Sequence, residues 1–205
     1  MVSKVRVKLL QTFLSQPKEM FYIRQLVRLL GEEINAIRRE LQRMERLGMV
    51  KKENRGNRIY YWFNKDYPLY QDVLSIVNKT VGLGGEILKK KSKIGNIRFA
   101  LISGRLARGL TPKADRVDLL VVGDLDLNNL SGLVKEQEGK LGREINYSVM
   151  TKEEFDFRKK RRDPFLLGIL SEPKIMIVGD EEDLFIWALA KTSSAYLFNG
   201  KTEDY

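Results

Sequence analysis

Residues 33–63 read EINAIRRELQRMERLGMVKKENRGNRIYYWF, and the periodicity of this stretch changes at Gly48. Before the glycine, apolar side chains recur every three or four residues, at Ile34, Ile37, Leu41, Met44 and Leu47. That spacing predicts an amphipathic helix that begins near Glu33 and has one continuous buried stripe. After the glycine, residues 49–53 and 58–63 are strand-like and are joined by a turn at 54–57. The stretch therefore predicts a helix followed by a β-hairpin with a basic tip.

Two shorter helices are predicted before this stretch. The first is marked by four apolar residues at helical spacing: Val7, Leu10, Phe13 and Leu14. It stops before Pro17, because a proline disfavours helix in the residue that precedes it. The second runs from about residue 22 to residue 30 and ends at Gly31, which can adopt the left-handed conformation of a helix terminus. Three helices and a hairpin in this order resemble the winged-helix transcription regulators of the ArsR and MarR kind, and residues 21–64 carry the resemblance.

The positive charge of the chain is concentrated in its first third. The whole sequence has 37 Lys and Arg against 27 Asp and Glu, and residues 1–65 hold 15 of the basic and 6 of the acidic residues. Residues 66–205 are therefore nearly neutral. A charge excess confined to one small domain is expected of a polyanion binder, because each neutralised phosphate releases condensed counterions. A surface that only promotes solubility is the alternative, but it does not predict such segregation.

The winged-helix resemblance implies that the third helix lies in the major groove of double-stranded DNA, with its amino-terminal residues nearest the base edges. The implied contacts to bases are Asn35, Arg38 and Arg39, and those of the same helix to phosphates are Gln42 and Arg43. The implied contacts of the hairpin are Lys51, Lys52, Arg55, Asn57 and Arg58. For any single arginine, the alternative is an exposed ion pair with Glu40 or Glu45. A homodimer on a two-fold DNA site is expected, through the helix from Leu69 onward or through residues 184–198.

The second half of the chain begins with two buried-looking strands, at residues 97–103 and 117–122, separated by a short helix and loop at 104–109. It resembles the minimal nucleotidyltransferase family of the polymerase-β superfamily, whose pattern is a strand, Gly-Ser, a short helix ending in Ala-Arg-Gly, and a strand opening with Asp-x-Asp. Residues 95–180 carry the resemblance. Together the two resemblances imply an α+β fold: an amino-terminal winged helix of three helices plus a β-hairpin, then a nucleotidyltransferase-like α/β domain with a small mixed sheet.

The motif residues depart from the nucleotidyltransferase pattern. With the Ala-Arg-Gly of residues 107–109 as the anchor, the family's glycine falls on Gly104, its serine on Arg105, and its two aspartates on Arg116 and Asp118. The family's chemistry needs two acidic side chains on one face of a strand to hold divalent metal against nucleotide phosphates. A permanent cation at the first position repels Mg²⁺, and Asp118 alone is a poor metal site. The motif predicts a domain without catalytic residues, metal or cofactor; an active enzyme using Mg²⁺ and a nucleotide is the alternative.

Other carboxylates near the motif are weaker candidates. Asp115 lies three residues before the second motif aspartate, so the two side chains point to opposite faces of a strand. Asp124 and Asp126 follow the strand, where aspartates more often form a turn or cap the next helix. The third acid of the active enzymes corresponds to Glu144, on a strand predicted for residues 144–149. A solvated charge is the alternative for this glutamate.

Three arginines lie at or between the motif positions, Arg105, Arg108 and Arg116, and their charge suits a nucleotide or another anionic ligand. Surface ion pairs are an equal alternative for them. The function predicted from the sequence is therefore a DNA-binding transcription regulator whose second domain serves ligand sensing or dimerisation. The alternatives are a metal-dependent nucleotidyltransferase with a targeting winged helix, and a winged helix that binds protein.

Composition narrows the classes of function further. The chain has no Cys and no His, which excludes disulfides, zinc fingers and Ser-His or Cys-His catalysis. No apolar run approaches the ~20 residues of a membrane-spanning helix and the first residues do not resemble a signal peptide, so no membrane contact and a cytoplasmic location are expected. The predicted organisation is a winged helix at 1–66, a linking helix at 67–94, a nucleotidyltransferase-like domain at 95–180 and a helical segment at 181–205.

Overall fold

A computed structural model describes residues 3–111 and 113–184. Its first six elements are α1 (Lys4–Ser15), β1 (Phe21–Tyr22), α2 (Ile23–Leu30), α3 (Ile34–Arg46), β2 (Val50–Arg55) and β3 (Arg58–Phe63). The strands form an antiparallel sheet in the order β1-β3-β2, with Arg55 opposite Arg58 at the tip of the hairpin. The three helices and the hairpin predicted from the sequence are confirmed, in the predicted order.

One apolar core joins these six elements. The predicted stripe of α3 supplies three buried side chains to it: Ile37, Leu41 and Met44. Phe13 of α1 and Phe21 of β1 belong to the same core, and their rings meet edge to face with centroids 5.8 Å apart. The prediction that Leu47 is buried is wrong: it is 56% exposed, because α3 ends at Arg46 and Leu47 is only its C-cap. As predicted, α2 ends at Gly31 in the left-handed conformation.

The prediction of a single linking helix over residues 67–94 is wrong, because the segment forms three helices. They are α4 (Tyr70–Thr80), α5 (Gly82–Lys89) and α6 (Lys91–Ile94). The break between the first two falls at Val81, which is extended, and at Gly82, whose φ is +61°. The buried side chains of α4 belong to the core of the first six elements, whereas those of α5 belong to a second core in the other half of the chain.

A mixed sheet organises the second half. Its elements are β4 (Gly95–Ser103), α7 (Gly104–Ala107), β5 (Leu119–Leu125), α8 (Leu127–Leu141), β6 (Tyr147–Met150), α9 (Lys152–Lys160), α10 (Pro164–Ser171) and β7 (Lys174–Val178). The strand order is β6-β5-β4-β7, in which β5 and β6 are parallel and the other neighbours antiparallel. The small mixed sheet predicted from the sequence is confirmed, and the described chain is mixed α+β with two small sheets.

Helices cover both faces of this second sheet. Leu119 and Val121 of β5 lie in the core beneath α5 and α8, whereas Leu120 and Val122 lie in the core beneath α9 and α10. Strands buried on both faces consist of continuous apolar runs instead of alternating apolar and polar residues. For this reason, the apolar runs of the sequence predicted strands at the positions of β4 and β5.

The two halves touch through α7 and the residues after it. The side-chain amide of Asn78 on α4 donates a hydrogen bond to the carbonyl oxygen of Ala107 at 3.3 Å. A Cβ added at Gly109 would lie 2.7 Å from the carbonyl oxygen of Ser15 in α1, and the φ of +59° at this position also favours glycine. The Ala-Arg-Gly of residues 107–109 therefore lies against helices of the first half.

Little of the carboxy-terminal segment predicted at 181–205 is described. Residues 181–184 are helical, and Leu184 reaches the core beneath α9 and α10. The candidate dimer interface at 184–198 lies, beyond its first residue, outside the described residues. Within residues 3–111 and 113–184, no helix has both the length and the apolar character needed to cross a membrane.

Candidate nucleic-acid interface and carboxylate site

The amino-terminal turns of α3 present three exposed polar side chains, those of Asn35, Arg38 and Arg39. Glu33 caps the helix, and its carboxylate accepts a hydrogen bond from the backbone N–H of Ala36 at 2.9 Å. Backbone N–H groups, first that of Asn35, lower the pKa of Glu33 by stabilising its carboxylate. Neither arginine has an ion pair within the described part of the chain. Both guanidinium groups are therefore available to an external partner.

Four other predicted DNA contacts already have carboxylate partners. Arg43 pairs with Glu40 at 2.9 Å, and Lys51 pairs with Asp66 at 2.7 Å. Lys52 pairs with Glu45 at 2.9 Å, and Arg55 pairs with Glu53 at 3.0 Å. The hydrogen bond to its glutamate raises the pKa of Lys52. The pairs of Lys51 and Arg55 are exposed, whereas Glu45, the partner of Lys52, is half-buried; exposed pairs contribute only about 0–1 kcal/mol. A phosphate group can therefore displace those carboxylates.

Arg43 differs from the hairpin cations because its partner Glu40 is buried, with 4% of the residue exposed. Glu40 also accepts a hydrogen bond from Nε of Arg6 at 2.9 Å, so that this carboxylate joins α1 to α3. Removing a cation from a buried carboxylate is costly. The structure therefore supports the ion-pair alternative for Arg43, whereas Gln42 beside it is exposed.

A second group of arginines surrounds a concave region between α2, α3 and the hairpin, termed the arginine cleft. It has a volume of about 420 Å³ and is lined by Tyr22, Ile23, Arg24, Arg28, Arg38, Asn57, Arg58 and Ile59. The resemblance had implied Arg38, Asn57 and Arg58 as contacts, but not Arg24 and Arg28. The signal that could have identified these two is their spacing of four residues, which places them on one face of α2.

Asp118, the second aspartate position of the predicted motif, is buried directly before β5, with 3% of the residue exposed. Its Oδ2 accepts a hydrogen bond from Nη2 of Arg143 at 2.9 Å, and its Oδ1 accepts one from the hydroxyl of Ser103 at 3.3 Å. The side chain of Arg143 is only 14% exposed and also donates to the carbonyl oxygen of Leu110. The motif aspartate therefore has an internal cation as its partner. No local pattern signals Arg143, which lies 25 residues further along the chain.

The other candidate carboxylates do not join this site. Glu144 is exposed and precedes β6, which begins at Tyr147, so it does not lie on the strand predicted for residues 144–149. Asp126 caps α8 as predicted, since its Oδ1 accepts hydrogen bonds from the backbone N–H groups of Asn128 and Asn129 at 2.9 and 3.0 Å. Neither side chain can complete an acidic pair at the motif.

The residues at the motif positions do not fit a divalent cation. Arg143 already compensates Asp118, while Arg116 is itself a cation that pairs with Glu172 and lies 3.7 Å from Asp115. In the described ranges 3–111 and 113–184, no three His, Cys, Asp or Glu side chains are grouped so that they could hold a metal.

The three motif arginines Arg105, Arg108 and Arg116 line a second concavity, between α7, β7 and α10, termed the α10 cleft. Its volume is about 230 Å³, and its apolar wall includes Leu101, Val117, Pro164, Phe165 and Ile169. Arg105 donates to the carbonyl oxygen of Thr111 at 2.7 Å, and Arg108 donates to that of Gly104 at 2.8 Å. Neither has a carboxylate partner among the residues that the structure describes. Arg116 follows the ion-pair alternative, whereas the other two arginines retain uncompensated charge.

Comparison with known proteins identifies no family. No family model matches the chain, and no curated protein matches it. Among solved structures, part of the chain is similar to the crystal structure of a mutant of the toxin-antitoxin MntA-HpeT, with 14% identity over 56% of this chain and 86% of that chain, and a TM-score of 0.32. A similarity of this size supports no conclusion about fold or function.

Proposed function

We propose that this chain is a transcription regulator that binds double-stranded DNA through a winged helix formed by residues 1–66. In this assignment α3 lies in the major groove and the β2–β3 hairpin is the wing. The observation that carries the proposal is the exposed group of Asn35, Arg38 and Arg39 on the first turns of α3. Asparagine suits adenine and arginine suits guanine, because each can make two hydrogen bonds to the major-groove edge of its base.

The charge distribution supports the same surface. The 15 basic against 6 acidic residues in the first 65 concentrate the positive charge of the chain in this half. Lys51, Lys52 and Arg55 of the hairpin pair with exposed or half-buried carboxylates that a phosphate can displace, so they remain candidates for backbone contacts. A single unit of this size holds DNA weakly, so a homodimer on a two-fold DNA site belongs to the proposal.

The test is binding of the full chain to a labelled duplex of mixed sequence, followed by fluorescence anisotropy over a series of salt concentrations. We expect binding at low salt and a linear decrease of log K with log salt concentration, with a slope of about −0.9 for each phosphate contacted. Circular dichroism at every salt concentration is the control for folding. A folded protein that retains no duplex at low salt would contradict the proposal and favour a protein-binding winged helix.

For the second half, we propose a catalytically inactive nucleotidyltransferase-like domain that binds an anionic ligand in the α10 cleft. Arg105 and Arg108 supply two cations without carboxylate partners, and the apolar wall suits a ligand that joins an anion to an aromatic or aliphatic body. A nucleotide is one such ligand. The cleft lies beside residues 107–109, which contact α1 and α4. A ligand bound in the cleft can therefore affect the half of the chain proposed to bind DNA.

Titration calorimetry with ATP in the absence of metal tests this ligand site. We expect the double variant Arg105→Gln/Arg108→Gln to bind ATP about tenfold or more weakly, because two charge-assisted hydrogen bonds are lost. Arg98→Gln is the matched control, since Arg98 is an exposed arginine of β4 that does not line the cleft. If the double variant and the control lose the same affinity for ATP, Arg105 and Arg108 act only through the general charge of the surface. Transfer of radiolabelled nucleotide with Mg²⁺ or Mn²⁺, abolished by Asp118→Asn, would instead establish the enzymatic alternative.

A further inference from the structure

Tyr22 organises the arginine cleft. The guanidinium of Arg58 lies over the Tyr22 ring at 4.7 Å from its centroid, and Nη2 of Arg28 donates to the Tyr22 hydroxyl at 3.2 Å. Tyr60 of β3 meets the edge of the same ring, with centroids 5.7 Å apart. One aromatic ring therefore contacts an arginine of α2 and an arginine of the hairpin at the same concave surface.

The residues that line this cleft include no carboxylate. Four of its eight lining residues are arginines, from α2, α3 and β3, and none of the eight is acidic. Among the described residues, Arg24, Arg28, Arg38 and Arg58 form no ion pair. The hairpin cations Lys51, Lys52 and Arg55, in contrast, all have carboxylate partners. Like charges that converge without counter-ions repel one another, so the arrangement favours an external anion.

The chemistry of the cleft fits phosphate. Guanidinium groups bind phosphate oxygens in a bidentate manner, and several of them around one concavity can hold consecutive phosphates of a chain. Arg38 lies both in this cleft and on the exposed face of α3, so that the cleft is continuous with the surface proposed to contact bases. This continuity favours a polymeric phosphate, the DNA backbone, over a free anion.

We infer that the arginine cleft is the site that holds the sugar–phosphate backbone of one DNA strand and so sets the position of α3 in the groove. Arg24 and Arg28 contribute from α2, and Arg58 contributes from the hairpin while it is stacked on Tyr22. This inference rests on the proposed DNA-binding function. It assigns Arg24 and Arg28 to contacts that are independent of base sequence, in contrast to Asn35 and Arg39 of α3.

The test compares Arg24→Gln and Arg28→Gln with the control Lys135→Gln. Lys135 is an exposed lysine of α8 that makes no ion pair among the described residues, so its variant removes the same charge far from the cleft. We expect the slope of log K against log salt concentration to be less negative by about 0.9 in each cleft variant, because one phosphate contact is lost. Between 50 and 200 mM salt, the affinity of each variant then falls by a factor about 3.5-fold smaller than the affinity of the wild type does. The difference is expected to be equal for duplexes of unrelated sequence.

Three outcomes would count against the inference or its premise. If the wild type binds duplex and both cleft variants keep its salt slope, as the control does, the cleft is not a backbone site although the proposed function stands. If the wild type binds no duplex, the proposed function itself fails. If the wild type binds inorganic phosphate equally well with and without saturating duplex, and both cleft variants lose this binding, the cleft is a site for a free anion.

Discussion

Replacement of Arg38 or Arg39 by alanine is expected to weaken binding to a sequence selected from a random duplex pool by about 5- to 150-fold, since one bidentate contact to guanine is worth about 1–3 kcal/mol. Both side chains are exposed and have no ion pair within the described residues, so their truncation should leave folding intact. Anisotropy titrations with the selected duplex and with a mixed-sequence duplex provide the measurement. We expect the ratio of the two affinities to fall along with the affinity for the selected duplex.

Arg46→Ala is the matched control for this experiment. Arg46 is an exposed arginine on the last turn of α3, away from the turns proposed to contact bases. We expect this variant to lose little affinity and to keep its preference for the selected duplex. If Arg38→Ala and Arg39→Ala both behave like the control, the start of α3 does not contact bases and the assignment of α3 to the major groove is wrong.

Arg143→Met is expected to lower the free energy of unfolding by about 3–5 kcal/mol, because it leaves a buried carboxylate without its cation. Asp118 is 3% exposed, and its remaining partner is a neutral hydroxyl, that of Ser103. Since a domain of ordinary stability unfolds at a cost of about 5–15 kcal/mol, the loss is a large part of the total. Urea unfolding followed by circular dichroism gives the value from the shift in the midpoint.

Two further variants isolate the buried pair from a general effect of losing charge. Arg116→Met removes a cation from the exposed pair with Glu172 and is expected to cost less than about 1 kcal/mol. Combining Asp118→Asn with Arg143→Met removes both charges, and should recover most of the stability that Arg143→Met alone loses. Equal destabilisation by Arg143→Met and Arg116→Met would show that the Asp118 carboxylate is not held by Arg143.

Most of the secondary structure could be predicted from the sequence, because helices and strands follow local periodicity. The spacing of Ile37, Leu41 and Met44 predicted α3, and the apolar runs of β4 and β5 predicted buried strands. The failures have local backbone causes. A helix over residues 67–94 is interrupted by the extended Val81 and the left-handed Gly82, so that neighbouring helices enter different cores.

The candidate site could be predicted only in part, because exposure is a local property and charge compensation is not. The amphipathic pattern of α3 placed Asn35, Arg38 and Arg39 on its exposed face, and the structure agrees. The same pattern could not separate them from Arg43, because the Glu40 carboxylate that binds Arg43 is buried by packing against α1. The spacing of Arg24 and Arg28 places them on one face of α2, but only the tertiary structure shows that this face and the hairpin line one cleft.

By itself, the sequence determined the order of helices and strands, the concentration of positive charge in the first 65 residues and the arginine two residues before Asp118, at position 116. Only the tertiary structure decided which charges are already compensated. Arg6 and Glu40 are 34 residues apart, and Asp118 and Arg143 are 25 residues apart, yet each pair meets at 2.9 Å. The physical reason is that periodicity arises within one turn or strand, whereas a buried ion pair arises where distant segments exclude water from the same carboxylate.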